Sequence, residues 1–214
     1  MDKPIRAMRK EYAQDALNER DAGDNPLLLF DQWFDAAVKS GIEEPNGMAL
    51  ATVDKNGRPS ARVLLLKGVD ARGFLFFTSY DSRKGVDLST NPYAAMCFWW
   101  GELERQVRIE GTVERISSDE SDAYFSTRPR ESQFGAAVSA QSAPVASREV
   151  LETDLAELRK RVGSGPIPRP SNWGGYRLSP QRMEFWQGRS HRLHDRLLYS
   201  KNEQGEWTRE RLSP

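Results

Sequence analysis

Residues 106–115 alternate with a period of two, setting Val107, Ile109, Gly111 and Val113 against Arg108, Glu110, Thr112 and Glu114. Successive side chains of a strand point to opposite faces, so this segment fits a sheet with one buried face and one wet face. Antiparallel sheets offer such faces, whereas parallel sheets are covered on both sides. The surrounding sequence has the same texture. MALATVD, the turn DKNG, RPSARVLLLKGVD, the turn DARG and GFLFFTS read as consecutive antiparallel hairpins, which YAAMCFWW extends. Further strands are expected at 176–186 and 196–199, after an internal Gly- and Pro-rich loop at 163–175. Leu27, Phe30, Phe34 and Ala37 recur at helical spacing beside Trp33, behind an Asn25 cap and with Pro26 at the first helical position. Short helices are expected at 119–125 and 133–139. Ser147 is placed to cap a longer one carrying Leu151, Leu155, Leu158 and Val162 on one face. The pattern predicts a mainly β (α+β) fold, a closed or nearly closed barrel with peripheral helices. Residues 25–214 form one domain in this reading, and the charged segment 1–24 is an attached arm or short helix.

Composition narrows the function classes. Of 214 residues, 38% are hydrophobic and 29% charged, which fits a compact soluble domain. Lys plus Arg and Asp plus Glu are equal at 31 each, so overall charge points to neither nucleic acid nor an acidic membrane as partner. Any anion site must come from a local concentration of cations. Cys97 is the sole cysteine and lies in an apolar run, which rules out an internal disulfide. The spacing of histidines and cysteine suits no structural metal site, so no metal is expected. No apolar stretch reads as a signal sequence or membrane span, and a cytoplasmic location is expected.

One segment demands a chemical explanation. FWQGRSHRLHDRLLY, residues 185–199, gathers both histidines, three arginines, an aspartate and a tryptophan. Read as a strand, it puts Arg192, His194 and Arg196 on one face, a row that is costly to bury unless it meets anions. A planar phosphorylated ligand would suit it. The pattern W-Q, four residues, then R-L-H-D-R from Trp186 to Arg196 resembles the C-terminal signature of the FMN-dependent pyridoxine (pyridoxamine) 5′-phosphate oxidases. The resemblance extends through nearly the whole chain and implies an FMN-binding split β-barrel. It also implies a homodimer with FMN across the interface.

The resemblance assigns roles to residues that local sequence alone leaves ambiguous. RVLLLK would run beside FMN, making Arg62, Val63, Leu64, Leu65, Leu66 and Lys67 cofactor contacts. Phe77, Thr78, Arg83 and Lys84 join them, and the two adjacent cations near a helix start can hold a phosphate through charge and backbone N–H groups. Ser79 stands where the family often has asparagine. Gln106, Gln141, Ser142, Trp186 and Arg196 complete the implied FMN set. Lys67, Tyr124, Arg128 and Ser132 are implied ligands of the substrate phosphate. Tyr124, Arg128 and Ser132 are spaced by four, but Pro129 interrupts any helix that would align them. Arg192 and His194 are expected nearest the reacting ring as catalytic residues, with Leu193 also touching substrate. Arg9, Lys10, Glu11 and Tyr12 are implied to cover the substrate as a lid. Asp195 is expected to order neighbouring cations.

The activity implied is oxidation of pyridoxine 5′-phosphate or pyridoxamine 5′-phosphate to pyridoxal 5′-phosphate. FMN takes a hydride from C4′, and O2 reoxidises it to give H2O2, with ammonia released from the amine. Two alternatives are a split-barrel flavin oxidoreductase with another substrate and a non-catalytic flavin or pyridoxal-phosphate binding module. The complete RLHDR segment argues against the first, and retention of the implied substrate ligands argues against the second.

Overall fold

The computed structural model describes residues 11–214. Arg9 and Lys10 of the expected lid lie outside them. A short helix α1 (Glu19–Ala22) precedes α2 (Pro26–Lys39), whose Asn25 cap accepts the Leu27 N–H at 3.0 Å. Pro26 occupies the first position, where a missing N–H costs nothing. The buried face of α2 is Leu29, Phe30, Trp33 and Ala37, and the predicted Leu27 and Phe34 lie at its margins. Phe30 inserts among the rings of Phe74, Phe98 and Trp100, with centroids 4.9, 5.2 and 6.2 Å away. Burying a side chain of this size contributes roughly 1.5–3 kcal/mol, so this contact fixes α2 on the sheet.

The sheet comprises β1 (Gly47–Val53), β2 (Pro59–Leu65), β3 (Gly68–Asp70), β4 (Gly73–Ser79), β5 (Tyr93–Trp100), β6 (Arg105–Arg115), β7 (Trp173–Gln187), β8 (Asp195–Lys201) and β9 (Trp207–Arg211). All its pairings are antiparallel. The β1–β2 turn is tied by Asp54, whose side chain accepts the amides of Asn56 at 2.8 Å and Arg58 at 2.9 Å. The order is β2-β1-β5-β6-β7-β4-β3, with β8 and β9 continuing from β7. This is possible because β7 changes partner along one edge: residues 173–178 pair with β4, and residues 182–187 pair with β8. Its other edge stays on β6. Where the partners change, the register shifts opposite Glu110 and Gly111, leaving Gln181 as an extra residue beside Pro180. Such a bulge increases local twist and accommodates a proline in a strand. The result is a curled antiparallel sheet.

Met48, Leu50, Phe74, Phe76, Met96, Phe98, Ile109, Met183, Phe185 and Leu197 fill the concave side. A smaller cluster, Phe125, Phe134, Ile167 and Trp173, lies beneath α4 (Ser118–Thr127), α5 (Arg130–Val138) and α6 (Arg148–Val162). Leu155, Leu158 and Val162 pack on it as the predicted stripe requires, whereas Leu151 remains 38% exposed. The expected loop ends earlier than predicted, because Trp173, Gly174 and Gly175 already pair with Ser79, Thr78 and Phe77. β9 was not anticipated, since WTRER has no apolar alternation. Among the described residues, no helix is long and apolar enough to cross a membrane.

Candidate active site

Ser82 caps α3 (Arg83–Thr90), and the expected helix start is there. It presents Lys84, only 5% exposed, whose Nζ donates to Ser82 Oγ at 3.1 Å and to Gln141 Oε1 at 3.0 Å. Burial, reinforced by the Arg62 cation, lowers the Lys84 pKa to about 8. Asp87, one turn further on, is buried 3.8 Å from Arg62 and 3.9 Å from Arg83, and accepts the Thr52 hydroxyl at 2.7 Å. Arg62 is also held by Thr52 Oγ1 and Ser60 Oγ, each at 2.8 Å. The group formed by Arg62, Arg83, Lys84 and Asp87 therefore has two positive charges in surplus. That surplus matches the dianion of a phosphate monoester. Of the four, Arg83 and Asp87 line a cavity of about 750 Å³ together with Gln141, Ser142, Arg58, Asp54 and Asp81, and Lys84 reaches it through its bond to Gln141. Gln141 gathers the expected cofactor residues: its Oε1 also accepts the Thr78 hydroxyl at 2.8 Å. Ser142 holds a left-handed backbone, φ 72°.

Gln141 lines a second cavity too, of about 330 Å³, with Ser79, Arg128, Ser132 and Trp173. Arg128 ends α4 and Ser132 lies in α5, so the break at Pro129 brings them onto one cavity without a continuous helix. The Arg128 guanidinium lies 4.6 Å from the centre of the Trp173 ring, and its buried Nη1 has no hydrogen-bond partner. A buried donor left this way is costly unless an acceptor arrives. Burial lowers the Arg128 pKa and raises that of Tyr124. The Tyr124 ring stacks on Phe77 at 3.7 Å, and both pack on the small core; neither lines either cavity. Lys67 is exposed and lines neither cavity; Leu64 and Leu66 point inward, and Val63 is 73% exposed on the opposite face.

A different group occupies the far end of β7. Direct pairings align Trp99, Gln106, Trp186 and Arg196 in one row across β5, β6, β7 and β8. Arg196 is oriented by Glu184, with Nε 2.8 Å from its carboxylate. The Trp186 ring lies 4.7 Å from that of His194, and Tyr12 meets both at 5.7 Å. The expectation that Arg192, His194 and Arg196 share a strand face is overturned. Residues Ser190–Arg192 form a 3-10 turn, with His191 and Arg192 both left-handed at φ 56° and 62°, and β8 starts only at Asp195. A period of two cannot pass through such residues. Consecutive non-glycine residues of this kind are strained, which is characteristic of functional turns. The turn leaves Arg192 and Leu193 exposed.

His194 Nδ1 accepts the Arg189 N–H at 3.1 Å. A nitrogen that accepts holds no proton, so the neutral ring carries its hydrogen on Nε2. Burial, then the Arg192 cation, lowers the His194 pKa against the opposing pull of Asp195. This geometry favours a neutral donor over a group that exchanges its proton at neutral pH. Sequence reasoning missed Asp87, Trp173 and Glu184, which contact Arg62 and Arg83, Arg128, and Arg196 respectively. Each reads locally as an ordinary helix, loop or strand residue.

Residues 34–161 match the family model described as pyridoxamine 5′-phosphate oxidase, and residues 173–214 match the pyridoxine 5′-phosphate oxidase C-terminal dimerisation region. The chain belongs to the pyridoxine/pyridoxamine 5′-phosphate oxidase family. A pyridoxine/pyridoxamine 5′-phosphate oxidase of Rubrobacter xylanophilus is 55% identical over 98% of this chain and 96% of its own length. One from Nostoc punctiforme is 54% identical over the whole of both chains. Among solved structures, PhzG from Burkholderia lata, in complex with tetrahydrophenazine-1-carboxylic acid, superposes with a TM-score of 0.89 at 33% identity, covering 94% of this chain and all of that one. A pyridoxamine 5′-phosphate oxidase-related, FMN-binding protein from Nostoc punctiforme has a TM-score of 0.69 at 23% identity, covers 86% of this chain and 97% of its own, and shares the fold. The curled sheet is thus the split barrel of this oxidase family.

Proposed function

We propose that this chain oxidises pyridoxine 5′-phosphate or pyridoxamine 5′-phosphate to pyridoxal 5′-phosphate with FMN as cofactor. The observation that carries the reading is the buried, unpartnered Arg128 Nη1, beside Ser132 on a cavity adjoining the doubly positive group around Lys84. Two phosphate-bearing ligands need two such anion sites, and Gln141 borders both cavities. Arg62, Arg83 and Lys84 fit the FMN phosphate, and Thr78, Gln141 and Ser142 offer neutral groups to the rest of it. FMN, when bound, would supply the redox chemistry, accepting a hydride from C4′ and passing the two electrons to O2 to give H2O2; with the amine substrate, water would hydrolyse the resulting imine to release ammonia. Arg128 and Ser132 anchor the substrate phosphate. Arg192 covers the pyridine ring, and His194 donates to it from Nε2.

Trp186, Gln106, Arg196 and His194 belong to the same site in this reading, yet they stand far from Phe77. Along β7, Trp186 lies eleven residues beyond Gly175, the partner of Phe77, or roughly 35 Å of strand at the usual rise. A second copy of the chain reconciles these positions: one protomer supplies the cationic end and its partner supplies the aromatic end. The outward face bearing Val63, Tyr93 and Trp99, all exposed apolar residues, suits such an interface. A monomer holding FMN tightly would overturn the assembly. For the activity, purified protein with FMN and pyridoxine 5′-phosphate is followed aerobically. Equal appearance of pyridoxal 5′-phosphate and H2O2 is expected, and their absence from an FMN-loaded dimer would refute it. PhzG was solved in complex with tetrahydrophenazine-1-carboxylic acid, a ring lacking phosphate, and equal turnover of such a ring by this protein would remove Arg128 from its role.

A further inference from the structure

We propose that Gly188, Glu104 and Asp195 form a seat that positions the segment 12–19 so that Tyr12 walls the aromatic end of the site; this rests on the function proposed above. Gly188 lies in a variable stretch of the signature and has no left-handed backbone to explain it. Its neighbours do. A Cβ built there would fall 2.8 Å from Tyr12 Cγ and 2.9 Å from Tyr12 Cβ, nearer than side chains tolerate. The glycine is required by contact with Tyr12, whose ring then reaches Trp186 and His194.

Two carboxylates far away in sequence take up the backbone N–H groups of the same segment. Glu104, 2% exposed, accepts Ala13 N–H at 2.9 Å and Gln14 N–H at 3.2 Å through one oxygen. Its own carbonyl accepts the Gly188 N–H at 2.7 Å, so the carboxylate and the glycine are parts of one unit. Asp195 accepts Leu17 N–H at 3.1 Å, while Arg211 donates to the Leu17 carbonyl at 3.0 Å and binds Asp195 at 2.7 Å. Arg189 donates to the Asp15 carbonyl at 2.8 Å. Backbone groups of a polar segment would otherwise go to water. Leu17, buried in the main core, pins the far side. Asp195 thus joins the arm to the turn that carries Arg192 and His194, which gives it a positioning role and no part in proton transfer.

The test uses the full-length, FMN-loaded protein and the variants Gly188→Ala, Tyr12→Ala, their combination, Glu104→Ala and Glu104→Gln. Amide hydrogen exchange across residues 13–17, measured without substrate, should accelerate at least about tenfold in Gly188→Ala and Glu104→Ala and stay near wild type in Glu104→Gln, which keeps an acceptor oxygen. KM for pyridoxine 5′-phosphate should rise about tenfold in Gly188→Ala with FMN occupancy unchanged, and the double variant should be no worse than Tyr12→Ala alone. Unchanged exchange in both alanine variants, or additive losses in the double variant, would overturn the seat. If no B6 phosphate is turned over, the proposed function fails while the exchange data still decide the seat.

Discussion

At one end of β7 the candidate anion-binding charges sit on regular elements: Arg62 on a strand and Arg83 in the first turn of a capped helix, both referred to the buried Asp87, with Lys84 beside Arg83 held by Ser82 and Gln141. At the other end Trp186 and Arg196 are rooted in strands, but Arg192 and His194 hang from a strained turn and Tyr12 arrives on an arm. The first arrangement is preorganised electrostatics, whose cost is borne within the folded chain before any ligand arrives. The second has its geometry set by contacts between segments remote in sequence. An anion site can therefore be tuned by single charges, whereas the aromatic end depends on how several segments meet.

The sharpest break is expected from Arg192→Ala. The residue is exposed, so the fold and FMN content should survive while kcat/KM for pyridoxine 5′-phosphate falls about a hundredfold or more. Normal turnover in that variant would remove the turn from the mechanism. Next is Arg128→Ala, which gives up charge-assisted bonds of roughly 1.5–3 kcal/mol, or about tenfold to 150-fold in KM, with FMN affinity intact. If FMN affinity fell instead, the two cavities would have to exchange ligands.

Lys84→Met tests the preorganised end more finely. Removing a buried cation should stabilise the FMN-free protein by about 1 kcal/mol, or roughly 2–4 °C in Tm, while weakening FMN binding, as read by calorimetry and titration. The pH dependence carries a definite sign. With a folded pKa of about 8 against the usual 10.5, the unfolded chain holds more protons between those values, so this lysine makes FMN-free stability rise with pH across that window. A phosphate favours the charged lysine, so FMN affinity should decline above pH 8, and the decline should vanish in Lys84→Met. The smallest effect is assigned to His194. Its pKa is lowered, so its neutral form and the associated stability persist above the ordinary value of 6.5 and are lost as the pH falls through the depressed value. His194→Asn keeps an acceptor for the Arg189 amide and should remove that acid limb from the kcat/KM profile.

Much of this molecule can be read from periodicity and caps. The alternation at 106–115, the β1–β2 turn and the Asn25 cap all rest on local physics, and local physics prevails there. The His191–Arg192 turn escaped because ordinary side chains rarely signal a left-handed backbone. Spacing did not show that Arg128 and Ser132 converge across Pro129, since the convergence comes from the packing of two helices on Trp173. Charge alone reads the arm as a loose tail, because the carboxylates receiving its amides lie 178 and 91 residues away. Residue types for the site were visible; the partners holding them were not.

The bulge at Gln181 gives the molecule an adjustable angle. Deleting that residue would leave the pairs Gly111 with Pro180 and Glu110 with Arg182 intact, and each side chain would keep its face. What would change is the twist concentrated there. The two ends of β7 would keep their chemistry but point in new relative directions, so a family built on this strand could retarget its site by editing one residue that lines neither candidate cavity.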